Sequence, residues 1–323
     1  MPYAIRIHET GGPEQLRWEQ VEVGRPGPGE VRVRNTAIGV NFIDTYHRTG
    51  LYPVPLPATL GTEGAGVVEA VGPRVKGFRV GDRVAYAQPM GAYAEVVLRP
   101  ADRLVKIPAG VDDRVAAAMM LKGMTAYYLC RRTYKVQRGD TILVHAAAGG
   151  VGQILCQWAK HLGATVIGTV GSDAKAALAR KVGCKHVIVT EREKISERVK
   201  AITKGRGVPV VYDGVGKDTF FESLDSLAPF GLLVSYGNAS GPVPPFNVLE
   251  LSKRGSLFVT RPTLMTYVAK REDLVRAARE LFAVVKKRAV RIAVNQTYAL
   301  KDAAQAHRDL EARKTTGSTI LLP

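Results

Sequence analysis

The chain of 323 residues predicts an α/β protein of two domains, one mostly β and one a doubly wound parallel sheet of six strands. Three observations carry this expectation. The first ~120 residues hold short apolar runs punctuated by Gly and Pro, without long helical periodicity. From Thr141 onward, six apolar segments recur at intervals of about two dozen residues or slightly less, with helical stretches in several of the gaps. The composition, 46% hydrophobic and 23% charged, is that of a chain that builds cores rather than a disordered one.

The elements follow in order. "EVRVRNTAIGV" (30–40) alternates Val31 and Val33 with Arg32 and Arg34, the period of a half-buried strand. "GAGVVEAVG", "GDRVAYA" and "AYAEVVLRPADRLVKIP" continue in the same manner, so this half predicts a barrel-like domain. The parallel strands are expected at 141–145, 165–169, 186–189, 208–212, 232–236 and 256–260. After the first of them, Val151, Ile154, Leu155, Trp158 and Leu162 share one helical face. Beyond Pro262 come a long helix, "REDLVRAARELFAVVKKRAV", a short strand, another helix and a last strand, "STILLP". That tail is too small for a third core and is expected to pack back on the first domain. The expected domains are therefore 1–123 with 263–323, and 124–262.

Composition also excludes some functions. No apolar run approaches the roughly 18 residues of a membrane helix. "MPYAIRIHET" carries no apolar signal segment, so a cytoplasmic protein is expected. Cys130, Cys156 and Cys184, odd in number and far apart in sequence, read as reduced core thiols. The net charge of +17 raises nucleic acid as a partner, but the basic residues are scattered ("VKAITKGRG", "VKKRAVR") without interleaved aromatics. A basic solvated surface, which also draws in an anionic cofactor, is the plainer reading. His8, His47, His145, His161, His186 and His307 form no ligand spacing with one another or with a cysteine, so no metal is expected.

One motif carries chemistry. In "AAGGVG" (147–152), between an apolar strand and an amphipathic helix, Gly149 and Gly152 hold two of the three positions of a dinucleotide fingerprint, and Ala147 stands at the first. Gly149 admits a pyrophosphate to the backbone, Gly152 lets the helix approach the sheet, and the N–H groups of Gly150 and Val151 face the phosphates. An alanine is tolerable at the first position if its φ is negative. The second strand then ends in "GTVGSDAKAA", without the acidic residue that binds a ribose 2′-hydroxyl. Gly171 is uncharged, Ser172 is a hydrogen-bond donor and Lys175 a compact cation, which points to the 2′-phosphate of NADPH. Asp173 comes later and is suited to capping the next helix.

"NFIDTYHRTGLYP" (41–53), "LGTEGAG" (60–66), "GDRVAYA" (81–87), "LKGMTAYYL" (121–129), "HAAAGGVG", "VSYGNASG" (234–241), "SLFVTRP" (256–262) and the closing "GSTILLP" together resemble the quinone oxidoreductases. These are the zeta-crystallin-like branch of the zinc-free medium-chain dehydrogenases/reductases, and the chain is most similar to their bacterial NADPH-dependent members. The resemblance implies a GroES-like catalytic domain beside a Rossmann domain, and a homodimer joined through Rossmann edge strands near 245–260.

It also implies cofactor contacts. Asn41, Phe42, Ile43, Asp44, Thr45 and Tyr46 lie near the nicotinamide, with Tyr128 across from them. Gly149, Gly150 and Val151 hold the pyrophosphate, and Gly171, Ser172 and Lys175 the 2′-phosphate. Ser235, Gly237, Asn238, Phe258, Val259 and Arg261 flank the nicotinamide side, and Gly317 belongs to the closing loop. Two positions depart from the bacterial pattern. Thr190 stands for a tyrosine and Gly214 for a serine, so two hydroxyls are lost near the adenosine half, and NADPH affinity is expected either to be weaker or to rest more on Lys175.

A quinone held flat against the nicotinamide needs positioning more than a strong acid, because its product anion takes protons from water. Tyr46 and Tyr52 are candidates to orient the quinone oxygen, and Asn41 to fix the nicotinamide or polarise the acceptor. Asp44 is expected to fix local structure rather than act as a base. Tyr52, beside Pro53 and Pro55, is also readable as a packed loop aromatic. Two alternatives stay open. A 2-alkenal or enone reductase needs a proton donor for the α-carbon. An RNA-binding crystallin-like protein would show salt-sensitive association.

Overall fold

Alternating valine and arginine, opposed by a second strand of small residues, produces the longest ladder in the molecule. The computed structural model describes residues 1–323 and divides into two units, 1–122 with 270–282 and 292–323, and 123–269 with 283–291.

The first unit begins with β1 (Tyr3–Ile7), β2 (Arg17–Gln20), β3 (Glu30–Val40), α1 (Phe42–Thr49), β4 (Ala58–Thr59), β5 (Glu63–Val71), β6 (Arg83–Tyr86), β7 (Val96–Pro100) and β8 (Val105–Lys106). Helix α2 (Asp113–Tyr128) contains the point of division. The second unit follows as β9 (Thr141–Val144), α3 (Gly150–His161), β10 (Thr165–Val170), α4 (Asp173–Lys181), β11 (Cys184–Val189) and α5 (Ile195–Thr203). It continues with β12 (Val208–Asp213), α6 (Phe220–Asp225), β13 (Leu227–Ser235), α7 (Leu249–Lys253), β14 (Phe258–Thr260) and α8 (Leu264–Tyr267). Helix α9 (Arg271–Lys286) is again shared, and β15 (Val294–Ala299), α10 (Ala303–Glu311) and β16 (Ser318–Leu322) return to the first unit.

In the first unit, a seven-stranded sheet runs β15-β16-β3-β5-β6-β8 with β7 on β3, beside a three-stranded sheet β2-β1-β4. The C-terminal strand β16 pairs antiparallel with β3. Val31, Val33, Ile38, Val68, Val84 and Leu321 fill its core, while Arg32 and Arg34 point outward to Glu69. The second unit is one parallel sheet in the order β11-β10-β9-β12-β13-β14, six strands as expected. Ile154, Leu155 and Trp158 of α3 are buried; Val151 and Leu162, at the ends of that face, are half-buried.

Several details differ from the sequence reading. The stretch 263–269 groups with the second unit because Tyr267 stacks on Tyr128 at 4.4 Å and bonds Thr133. The stretch 283–291 does so because Gln157 of α3 bonds both the N–H and the carbonyl of Arg291. The sixth strand starts at Phe258 rather than 256, since Ser256 takes a left-handed φ of 58° that breaks extended pairing. The cysteines are buried free thiols, yet Cys156 and Cys184, far apart in sequence, meet at 3.5 Å between α3 and β11. No helix is long and apolar enough to cross a membrane.

Candidate active site

Strand β9 stops at Val144, and the chain turns sharply before α3. Ala146 takes the left-handed conformation with φ 49°, whereas Ala147, at the first fingerprint position, does not. The condition for an alanine there is met because the turn has moved its strained residue one position back. Gly149 precedes the helix in extended backbone, φ −80° and ψ 176°. A Cβ on Gly152 would lie 2.2 Å from the Ala146 carbonyl oxygen, so this glycine is what lets α3 press onto the turn. A Cβ on Gly149 would meet only that oxygen, at 3.2 Å. Gly150 and Val151, half-buried, begin the helix and leave their N–H groups unpaired within it.

Behind the turn lies a buried polar network that sequence reasoning missed. His145 contacts Thr169 at 3.0 Å and Ser223 at 2.9 Å, and Ser223 donates to Asp213 at 3.1 Å. Asp213 also accepts from Thr219 and from the N–H groups of Val215 and Gly216. Burial pushes His145 below its ordinary range despite the nearby Asp213, so the ring is neutral and ties β9 to β10 and α6. The legible signal was a histidine closing an otherwise apolar strand.

At the end of β10, Gly171 is exposed and a Cβ there would meet nothing within 4 Å. Ser172 is the N-cap residue of α4, and Lys175, half-buried, donates its N–H to the Ser172 carbonyl at 3.1 Å. Asp173 is the first residue of α4 rather than its cap, and pairs with Arg192 at 2.7 Å. Thr190 brings a hydroxyl of its own, but it donates to the Val170 carbonyl at 3.2 Å. Gly214 has a steric cause, because a Cβ there would lie 2.8 Å from the Tyr236 ring. Gly237 likewise lies against Gly214, with room for no Cβ.

Ser235 ends β13 and is buried, and Arg261, just beyond β14, donates to its carbonyl at 3.0 Å. Asn238 and Val259 are half-buried and Phe258 is 59% exposed. Thus Gly149 to Val151, Gly171 to Lys175, Gly214, Ser235 to Asn238 and Arg261 all stand at the carboxyl ends of parallel strands. The strand order reverses between β9 and β12, where such sheets bind ligands. Tyr128 is buried in its stack with Tyr267, and burial pushes its hydroxyl well above the ordinary range.

The first unit gathers the other candidates at the junction of β3 and α1. Asn41 precedes α1, and its backbone N–H donates to the Asp44 carboxyl at 2.9 Å. Asp44, expected among the cofactor contacts, has no exposed surface. It lies 2.9 Å from the Tyr93 hydroxyl and 3.2 Å from Thr62, and burial pushes its carboxyl up to about 7. Its place is beneath the site, holding the helix start. Thr45, also nearly enclosed, donates to the Phe42 carbonyl at 2.7 Å, and Phe42 and Ile43 are the half-buried residues of that turn. Tyr46 and Tyr52 meet edge to face at 5.3 Å, so the structure brings both tyrosines together. Gly317, with φ 61°, makes the turn into β16, which pairs with β3 at Val40.

Two further groups were missed. Glu63, fully buried on β5, accepts from the Asn41 side chain at 2.9 Å and from Lys122 at 2.5 Å. The second is a chain of contacts from Asp44 through Tyr93, His307 and Arg48 to Glu311. The signal for Glu63 was a carboxylate at the head of "EGAGVVEAV", directly before the small residues Gly64, Ala65 and Gly66. His307 gave none, since its partners lie far away in sequence.

Residues 27–109 match the family model of the alcohol dehydrogenase GroES-like domain, and residues 150–283 that of the zinc-binding dehydrogenases. No group of three or more His, Cys, Asp or Glu side chains is placed to hold a metal ion. A quinone oxidoreductase of Pseudomonas aeruginosa is 55% identical over all of both chains. A 2-haloacrylate reductase of a Burkholderia species is 51% identical over 100% of this chain and 99% of its own. Among solved structures, Escherichia coli quinone oxidoreductase complexed with NADPH superposes with a TM-score of 0.98 at 50% identity, covering 99% of this chain and 100% of the other. With relatives this close along the whole length, the chain belongs to the quinone oxidoreductase family of the medium-chain dehydrogenases/reductases.

Proposed function

We propose that the protein is a metal-independent, NADPH-dependent quinone oxidoreductase of the cytoplasm. The observation that carries this reading is the carboxyl end of β10. It offers an open glycine, a serine and a lysine, and its one acid, Asp173, is paired to Arg192. The residues fit NADPH. The backbone at Gly149 is clear of side chains, α3 points its first N–H groups at the same place, and Lys175 supplies a cation for the 2′-phosphate. NADPH, when bound, supplies a hydride from nicotinamide C4 to the quinone. The protein's part is positioning.

In this reading Gly149, Gly150 and Val151 hold the pyrophosphate, and Gly171, Ser172 and Lys175 the 2′-phosphate. Tyr128, Ser235, Gly237, Asn238, Val259 and Arg261 are the second unit's candidates for nicotinamide contacts, and Phe42, Ile43, Thr45 and Gly317 those of the first. Tyr46 and Tyr52, packed edge to face, orient the quinone oxygen, and Asn41 completes the site. The segment 1–122 with the returning tail supplies the substrate side. Two copies pair through β14 and α7: Phe258, on the edge strand, is 59% exposed, and Val248 and Leu249, at the start of α7, are 71% and 60% exposed.

The test is NADPH and NADH oxidation by purified protein with ortho- and para-quinones, 2-alkenals and 2-haloacrylates. NADPH-dependent quinone turnover that is weak with NADH is expected. Lys175→Ala should raise the KM for NADPH about 10- to 100-fold, the equivalent of one charged hydrogen bond, and leave that for NADH unchanged. The similarity to a 2-haloacrylate reductase keeps carbon–carbon double-bond reduction as the second reading. Preference for alkenals or haloacrylates would select it, with a tyrosine as proton donor.

A further inference from the structure

Asn41 is amphoteric: one arm of its planar amide accepts a hydrogen bond, the other donates. The surroundings decide which arm reaches the site. Glu63 Oε1 lies 2.9 Å from Asn41 Nδ2 and 2.5 Å from Lys122 Nζ, while Glu63 Oε2 accepts the Leu121 N–H at 2.7 Å. Glu63 is fully buried, and Lys122 and Asn41 are each 5% exposed. Paired with an ammonium, the carboxylate is an acceptor only, so the Asn41 NH2 group must face it. On its other arm the Asn41 side chain faces the Asp44 N–H in the capping box of α1, which sets the amide the same way round. The backbone makes room for this arrangement. Gly39 stands opposite Glu63 in the β3–β5 ladder, and a Cβ on it would lie 2.3 Å from Glu63 Oε1 and 2.5 Å from the Ala117 carbonyl oxygen.

We propose that Glu63 and Lys122 are positioning residues for the reaction, locking the Asn41 amide so that Oδ1, with one lone pair turned to the Asp44 N–H, offers its second as an acceptor to bound ligands. The proposal rests on the reading of Asn41 as a site residue. Its consequence is a change of role. Through Oδ1, Asn41 cannot polarise a quinone carbonyl; it serves a donor, such as the carboxamide N–H of the nicotinamide or the hydroxyl of a forming hydroquinone. Lys122 keeps the buried carboxylate compensated, without which the lock would itself be an unpaired charge.

The test is a charge-conserving exchange, made after native turnover of quinone with NADPH is established. A native enzyme without that turnover would sink the functional reading instead. Asn41→Asp places two carboxylates against each other and should lower kcat about 10- to 100-fold, the scale of one charged hydrogen bond. Adding Glu63→Gln to Asn41→Asp should restore kcat to within about fivefold of native, a tolerance of under one tenfold step. The carboxylate has then moved to position 41, where it takes the Lys122 ammonium and an N–H of the introduced glutamine, and its other oxygen still accepts. Glu63→Met alone removes the acceptor that holds the Asn41 NH2 group and should lower kcat more than it raises the quinone KM. An exchange variant that folds but is no faster than Asn41→Asp would overturn the proposal. So would a folded Glu63→Met variant with native kcat.

Discussion

Asp44 and His307 show two buried groups whose protonation is decided by their surroundings. Arg48 donates to His307 Nδ1 at 3.1 Å, so the ring proton lies on Nε2 and faces the Tyr93 oxygen, whose own hydroxyl donates to Asp44. Burial, and then Arg48, push His307 down to about 3 from 6.5, while burial pushes Asp44 up to about 7 from 3.8. Asp44 is raised, so its contribution is full below pH 3.8 and lost as pH rises through about 7. His307 is depressed, so its contribution is full above pH 6.5 and lost as pH falls toward about 3. Between 3.8 and 6.5 the unfolded pair binds its one proton on His307 and the folded pair on Asp44, and the two slopes cancel. Asp44→Asn should expose the histidine slope, with stability rising by up to about 1.4 kcal/mol per pH unit across that window relative to native. His307→Phe should tilt it the other way. Urea midpoints at a series of pH values check both, and parallel curves for native and Asp44→Asn would refute the coupling.

At the scale of the element, the turn from β9 into α3 separates folding from binding between two glycines. Gly152 is held against backbone atoms, so Gly152→Ala should destabilise the protein by about 1–3 kcal/mol, an overpacking cost. Gly149 has φ −80° and a single neighbour at 3.2 Å, so Gly149→Ala should change stability by less than about 1 kcal/mol. If the pyrophosphate lies over Gly149, the same variant should lose NADPH affinity at least about tenfold, or 1.4 kcal/mol. Thermal melts with and without NADPH distinguish the two; a Gly149→Ala protein with native NADPH affinity would move the phosphates elsewhere.

At the scale of the whole molecule, the sheet of the second unit ends at β14, a strand of three residues followed by Arg261. The proposed pairing uses the open edge at Phe258 and the exposed Val248 and Leu249 at the start of α7, and the net charge of +17 does not concentrate on α7, where Glu250 pairs with Lys253 and Arg254. Native protein should therefore sediment as a dimer and Leu249→Glu as a monomer, the carboxylate being too costly to bury unpaired. A native monomer at micromolar concentration would remove the proposed interface.

The sequence by itself determined the six parallel strands, the turn at Gly149 and Gly152, the returning C-terminal strand and the phosphate-compatible end of β10. Each is written in local periodicity, spacing or residue type, which neighbours in sequence are enough to express. Only the tertiary structure decided that Asp44 is enclosed rather than facing a ligand, and that Gly214 yields to the Tyr236 ring. It alone set Glu63 and Lys122 on the Asn41 amide and His307 against Tyr93. Those contacts join residues separated by 22 to 214 positions, and their energetics depend on desolvation, which exists only once the surrounding strands and helices have closed over them.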